Sequence, residues 1–176
     1  MKYYLFLFSC IFFSCASQGS PNGGPIDDRG PQVVKISPTN NLILSSEDKI
    51  VIFFDELINP ITIVNAIEIF PPNNFSYRIS GKKIIISPEN KWNNSTVLKI
   101  KLSRYISDYQ NNFMSSPIEL FYFNSSESSN KMISGKIINA DNKLFELGLY
   151  EIKNLDYKLI EKTESNERDI FEFKYL

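Results

Sequence analysis

Residues 75–87 read FSYRISGKKIIIS, and this stretch decides the fold. Two runs rich in apolar, β-branched and aromatic residues flank Ser80 and Gly81, which is the pattern of two antiparallel strands joined by a tight turn. The first run alternates apolar and polar side chains, as does a strand with one face on a core. The sequence therefore predicts a hairpin here.

The same signals recur on both sides of this hairpin. Residues 49–55 show little polar alternation, which predicts a central strand that is covered on both faces. About seven short strands separated by turn signals indicate an all-β domain, an immunoglobulin-like antiparallel β-sandwich, over residues 32–124. The remaining predicted strands are residues 33–36, 65–70, 96–102 and 118–123.

A second β unit is predicted after a Ser/Asn-rich linker at residues 125–131. Its strands are predicted at residues 132–139, 147–153, 157–163 and 169–176. About 45 residues give a small core for an independent domain. We therefore expect residues 132–176 to form a small or truncated β domain that packs on the first unit or on a partner.

Composition limits the chemistry that the chain can perform. Of the 176 residues 43% are apolar, which is enough for a packed core. The chain has no histidine, which excludes Ser-His-Asp and Cys-His catalysis and removes the commonest metal ligand. The formal net charge of −1 gives no electrostatic footprint for nucleic acid.

The N-terminus has the organisation of an export signal. Residues 1–14 are predicted as a lipoprotein signal peptide, because Lys2 precedes an apolar run that is shorter than the about 20 residues a membrane-spanning helix needs. Cys15 follows the small residue Ser14 and is the predicted lipidation site. Cys10 is the alternative site, and a plain secretory signal or an uncleaved anchor is the alternative reading of the segment.

Residues 15–31 are predicted as a tether, because glycines and prolines interrupt regular structure throughout. Such a tether lets a lipid-anchored domain stand off the membrane. Asp27 and Asp28 within it are read as solvated loop residues rather than metal ligands. Since Cys10 and Cys15 are the only cysteines, no disulfide is expected in the mature domain.

Several motifs in a fixed order resemble the N-terminal region of Bacteroidetes lipoproteins that carry an SbsA-type bacterial Ig-like domain. The resemblance implies an outer-membrane or surface lipoprotein with an Ig-like module, and it implies no catalytic residue. No cofactor is predicted. A Pro-Asn-Thr turn of that family is altered here, at residues 92–97. After the lipobox at Cys15, the matching motifs are residues 20–27 (SPNGGPID), 30–34 (GPQVV), 50–56 (IVIFFDE), 69–72 (IFPP), 81–86 (GKKIII), 106–108 (ISD) and 134–136 (SGK).

The acidic residues favour structural roles over catalysis. Asp55 and Glu56 are adjacent on a strand, so their side chains point to opposite faces and do not form a dyad on one substrate. We expect Asp55 to bond a nearby loop from the strand end, and Asp108 to form a turn. No catalytic residue and no metal site is predicted.

Three aromatic residues in or near connections are the candidate ligand-stacking residues: Trp92, Tyr105 and Tyr109. Aromatic platforms of this kind would suit a carbohydrate-binding module. The alternative is that Trp92 covers the edge of the core and that a tyrosine packs at a corner of the sandwich.

Two hypotheses of function follow. The first is a non-catalytic lipoprotein of the cell envelope, anchored at the outer membrane on either its periplasmic or its surface face, that presents an Ig-like module to another envelope protein or gives structural support. The second is a glycan-binding surface lipoprotein that assists polysaccharide capture. In both, the partners are the membrane, through a lipid anchor at Cys15, and an unknown envelope protein or glycan, with no nucleic acid.

Overall fold

The structure is a computed structural model, and it describes residues 23–24, 26–93, 97–124, 131–138, 143–166 and 168–176. The predicted signal peptide, Cys10 and Cys15 lie outside the described residues. Within the described ranges, no helix has the length and apolar character that crossing a membrane would require.

Seven strands form two antiparallel sheets, as the sequence predicts. The hairpin of residues 75–87 is the outer pair of a four-stranded sheet in the order β1-β2-β5-β4, and the second sheet has the order β3-β6-β7. The fold is therefore the predicted Ig-like β-sandwich. Its strands are β1 (Val33–Ser37), β2 (Ile50–Phe54), β3 (Ile67–Phe70), β4 (Phe75–Ile79), β5 (Lys83–Pro88), β6 (Val97–Leu102) and β7 (Ile118–Phe123).

The core lies between the two sheets. Alternate residues of β2 are buried, and the half-buried Phe53 between them has the ammonium groups of Lys35 and Lys83 at 5.8 and 5.9 Å from its ring. On the outer face of β2, the ring of Phe53 is thus partly covered by lysine side chains. The buried core side chains contributed by the strands include Ile50, Ile52, Phe54, Ile84, Ile86, Leu98, Ile100, Leu102, Leu120 and Tyr122.

The outer edge of β7 is covered by the chain itself. Residues 41–44 run alongside it, and Ile43 forms an isolated parallel bridge with Phe123. The backbone N–H of Asn41 donates to the Phe121 carbonyl at 2.8 Å, and the N–H of Leu44 donates to the Phe123 carbonyl at 2.9 Å. These hydrogen bonds pair backbone carbonyls on the outer edge of β7. An edge paired in this way does not offer a template for aggregation.

Four further strands follow the sandwich, within the range of residues 132–176 where the sequence predicts strands. They form two two-stranded antiparallel sheets, β9 with β10 and β8 with β11. The ring of Tyr175 packs on Phe121 and Phe123, at 4.9 and 5.2 Å between centroids, so the end of the chain covers the outer face of β7. The strands are β8 (Met132–Lys136), β9 (Glu146–Lys153), β10 (Asp156–Glu164) and β11 (Ile170–Lys174).

Candidate functional site

Asp55 holds the start of β1 against the end of β2. Its Oδ1 accepts a hydrogen bond from the backbone N–H of Gln32 at 2.8 Å, and its own N–H donates to the Gln32 carbonyl at 3.0 Å. The Nζ of Lys82 donates to the Asp55 carbonyl at 2.6 Å. These contacts confirm the interpretation of Asp55 as a strand-end residue that bonds a nearby segment.

Asp108 organises its own loop, which confirms the turn-forming interpretation. It is buried, and its Oδ1 accepts from the backbone N–H groups of Gln110 and Asn112, both at 2.8 Å. The Nδ2 of Asn112 donates to Asp108 Oδ2 at 3.0 Å and also to the carbonyl of Asp27. Burial alone would raise the pKa of Asp108, but these hydrogen bonds outweigh it and lower the pKa.

The structure contains a cluster of carboxylates that the sequence does not predict. Asp27, Glu56 and Asp108 each place a carboxylate oxygen within 4.8 Å of the others, although they are far apart in the sequence. Desolvation, followed by the charges of Asp108, Asp27 and Asp55, raises the pKa of Glu56. A cation could take one oxygen from each residue, but it would compete with the hydrogen bonds that Asp108 already accepts.

For Trp92 the stacking prediction is wrong. Its residue exposure is 4%, and its Nε1 donates to the Asp48 carbonyl at 2.7 Å, so the indole belongs to the core. A buried ring offers no free face to a sugar. The alternative reading, in which Trp92 covers the edge of the core, is the one that the structure supports.

Tyr105 and Tyr109 are exposed, at 68% and 64%. The ring of Tyr105 meets Phe113 edge to face, at 6.2 Å between centroids and 83° between planes. Tyr105 also lines a cleft of about 240 Å³, whereas Tyr109 lies outside the residues that line it. The other residues of this cleft, which we call the Tyr105 cleft, include Asn65, Glu68, Ser103, Leu144, Phe145 and Glu146.

A buried ion network joins the sandwich to the β9–β10 hairpin. Lys99 and Lys101 of β6 are 3% and 2% exposed. The Nζ of Lys99 pairs with Glu161 and, at 2.9 Å, with Glu119, while the Nζ of Lys101 pairs with Glu164 at 3.1 Å. The sequence does not predict this network, because lysines that alternate with apolar residues on a strand are typical of a solvent-exposed face.

Comparison with known proteins identifies one family. The model of the family described as "Bacterial Ig-like domain" matches residues 27–147, which is well over half of the chain. The matched range covers the sandwich, the acidic cluster and the start of β9. No curated protein matches the chain.

Proposed function

Because the chain belongs to the bacterial Ig-like domain family, we propose that it is a non-catalytic lipoprotein of the cell envelope, at the outer membrane. It presents its sandwich to another envelope protein or gives structural support. Bacterial Ig-like domains are generally non-catalytic modules.

The observation that carries the non-catalytic role is the use of the carboxylates. Asp55 and Asp108 are the best catalytic candidates in the sequence. In each, one carboxylate oxygen accepts hydrogen bonds from backbone N–H groups, which fix a strand end in the case of Asp55 and a loop in the case of Asp108. A general acid or base instead needs its oxygen free to meet a substrate. Support for the envelope location comes from the sequence, where the apolar run of residues 3–13 lies just before Cys15 and a Gly/Pro-rich segment follows.

Metabolic labelling with a fatty-acid analogue tests the lipid anchor. The wild-type chain should incorporate the label, and Cys15→Ser should abolish incorporation. Cys10→Ser is the matched control and should leave labelling intact. Labelling that follows Cys10 would move the processing site, and a wild-type chain that takes no label would refute the lipoprotein proposal.

Glycan binding is a second candidate function, and one observation favours it. Tyr105 and Phe145 both line the Tyr105 cleft, together with polar residues that include Asn65, Glu68 and Ser103. An exposed aromatic ring beside hydrogen-bonding groups is the arrangement that a sugar ring needs.

Affinity electrophoresis in gels that contain polysaccharide tests this second function. If the cleft binds sugar, Tyr105→Ala should abolish retardation. Tyr109→Ala removes an equally exposed tyrosine outside the cleft and should leave retardation unchanged. A wild-type chain that migrates normally in every polysaccharide would exclude glycan binding.

A further inference from the structure

The tip of the β9–β10 hairpin carries a leucine in an unfavourable backbone conformation. The turn consists of Asn154 and Leu155, with φ of 50° and 70°. Two-residue turns with both central residues at positive φ favour Asn-Gly, because a Cβ is strained in the left-handed region. Leu155 nonetheless occupies the glycine position and is 84% exposed. A strained backbone with an exposed apolar side chain is the kind of feature retained for function.

Leu155 does not stand alone, because the strands beside it carry exposed apolar side chains. Ile152 and Tyr157 are cross-strand partners, 62% and 68% exposed. Tyr150 is two positions before Ile152 in β9, so it lies on the same face, and it is 52% exposed. We call these four residues (Tyr150, Ile152, Leu155 and Tyr157) the tip patch.

The size and the charge of the tip patch indicate which kind of surface it contacts. At these exposed fractions, the four side chains offer on the order of 500 Å², whereas a stable protein–protein interface takes about 800 Å² from each partner. The neighbouring charges cancel, since Lys153 and Lys158 stand with Glu151 and Asp156. A small apolar tip with tyrosines and lysines suits the interface of a lipid bilayer, where tyrosine places its ring at the headgroups and lysine extends its charge to water.

We propose that the tip patch inserts into the surface of the membrane that holds the lipid anchor. This inference rests on the proposed function, because the anchor brings the membrane within reach. A tether of about 16 residues spans at most about 55 Å and does not by itself fix which face of the domain meets the bilayer. Contact through the tip patch would fix that orientation and add a second membrane signal to a single anchor.

Quenching by brominated lipid tests the contact at one position. The full-length chain carrying Tyr157→Trp is reconstituted into phosphatidylcholine vesicles with brominated acyl chains. The added tryptophan should be quenched and shifted to the blue, whereas the buried Trp92 gives the background emission. The control reporter is Tyr77→Trp, because Tyr77 is 41% exposed on β4, in the four-stranded sheet of the sandwich. The fluorescence of this tryptophan should be unchanged by brominated lipid.

Leu155→Gly in the Tyr157→Trp background is the second arm. Glycine suits the positive φ of this position, so the fold should be retained or stabilised while the apolar tip is lost. We expect the quenching to fall and the thermal midpoint to hold or rise. Unchanged quenching in this variant would overturn the role of Leu155.

The remaining outcomes separate the two proposals. If Cys15 is lipidated and the chain floats with the vesicles but Tyr157→Trp is not quenched, the tip proposal fails and the anchor stands. If Cys15 takes no lipid, the anchor proposal fails, and the reporter is read in the uncleaved chain, which we expect to bind vesicles through the apolar run of residues 3–13. Self-association without vesicles that Leu155→Gly abolishes would identify the patch as an interface between copies and refute insertion.

Discussion

Lys99 is a buried cation whose removal should strongly destabilise the fold. It is 3% exposed and pairs with Glu161 and Glu119, which join β10 and β7 to β6. Lys99→Met keeps most of the length of the side chain but leaves Glu119 and Glu161 without the ammonium group that lies between them. Removing one partner of a buried ion pair costs about 3–5 kcal/mol, which we expect as the loss in free energy of unfolding.

In a chain of this length, that loss corresponds to a fall of about 6–20 °C in the thermal midpoint. Circular dichroism and Trp92 fluorescence should both report it. The matched control is Lys91→Met, since Lys91 and Glu47 lie 3.9 Å apart with side chains 67% and 75% exposed. An exposed pair of this kind contributes about 0–1 kcal/mol, so this control should stay close to wild type.

The double variant Lys99→Met/Glu161→Met completes the cycle. It replaces Lys99 and Glu161 by apolar side chains, while Glu119 keeps its charge and has a side chain that is 21% exposed to water. The double variant should therefore recover most of the stability that Lys99→Met loses. Desolvation raises the pKa of Glu161 even in the presence of Lys99. Because the pKa of Glu161 is higher in the folded state than in the unfolded state, this group contributes its full stabilisation below the unfolded pKa near 4.5. The stabilisation is lost as the pH rises through the folded pKa.

The cost of Lys99→Met should therefore be largest at neutral pH and shrink in acid, where Glu161 becomes neutral. Two results would refute the reasoning. One is a loss below about 1 kcal/mol at neutral pH, which is the range of exposed pairs. The other is a double variant as unstable as the sum of the two single variants.

Three further predictions concern the sandwich, and urea denaturation measures each of them. Tyr122→Phe should cost about 1–3 kcal/mol, because the buried hydroxyl donates to the Pro38 carbonyl at 2.9 Å. Burial raises the pKa of Tyr122 to about 12, so in an ultraviolet titration its phenol should ionise at higher pH than an ordinary tyrosine. Gly81→Ala should lower the free energy of unfolding by about 1–2 kcal/mol, because φ is +61°. No atom lies within 4 Å of an added Cβ, so the cost is purely conformational. Gly81→Asn should cost less, because asparagine tolerates the left-handed region better than alanine. Asp108→Asn should lower the free energy of unfolding by about 1–3 kcal/mol at neutral pH. The pKa of Asp108 is lower in the folded state than its unfolded value of 3.8, so its carboxylate stabilises the fold above pH 3.8 and this stabilisation is lost in acid. The difference between the variant and the wild type should therefore narrow as the pH falls below 3.8.

The strands could be predicted from the sequence because each carries a local signal. Alternation over residues 65–70 and the turn at Ser80 and Gly81 need no tertiary information. The apolar segment 57–64 contains a proline, and it forms only a short 3₁₀ turn, Pro60–Ile63, in which the Asn59 side chain accepts from the N–H of Ile61. Local chemistry thus decides the class and position of these elements.

The contacts between distant segments could not be predicted, and the reason is physical. Lys99 and Lys101 become buried only because the β9–β10 hairpin brings glutamates from about sixty positions away. Nothing in the alternation of β6 distinguishes a lysine beneath such a hairpin from one in water. The same holds for Trp92, whose burial depends on the segment around Asp48, and for the approach of Asp27 to Asp108.

The most direct test of the central claim is the mass of the mature N-terminal peptide, from protein purified out of bacterial membranes. A lipid-anchored Ig-like module predicts a chain that begins at Cys15, with the mass of a diacylglyceryl group on the cysteine. An N-terminal peptide that still contains residues 1–14, or an unmodified Cys15 at the start of the mature chain, would contradict it.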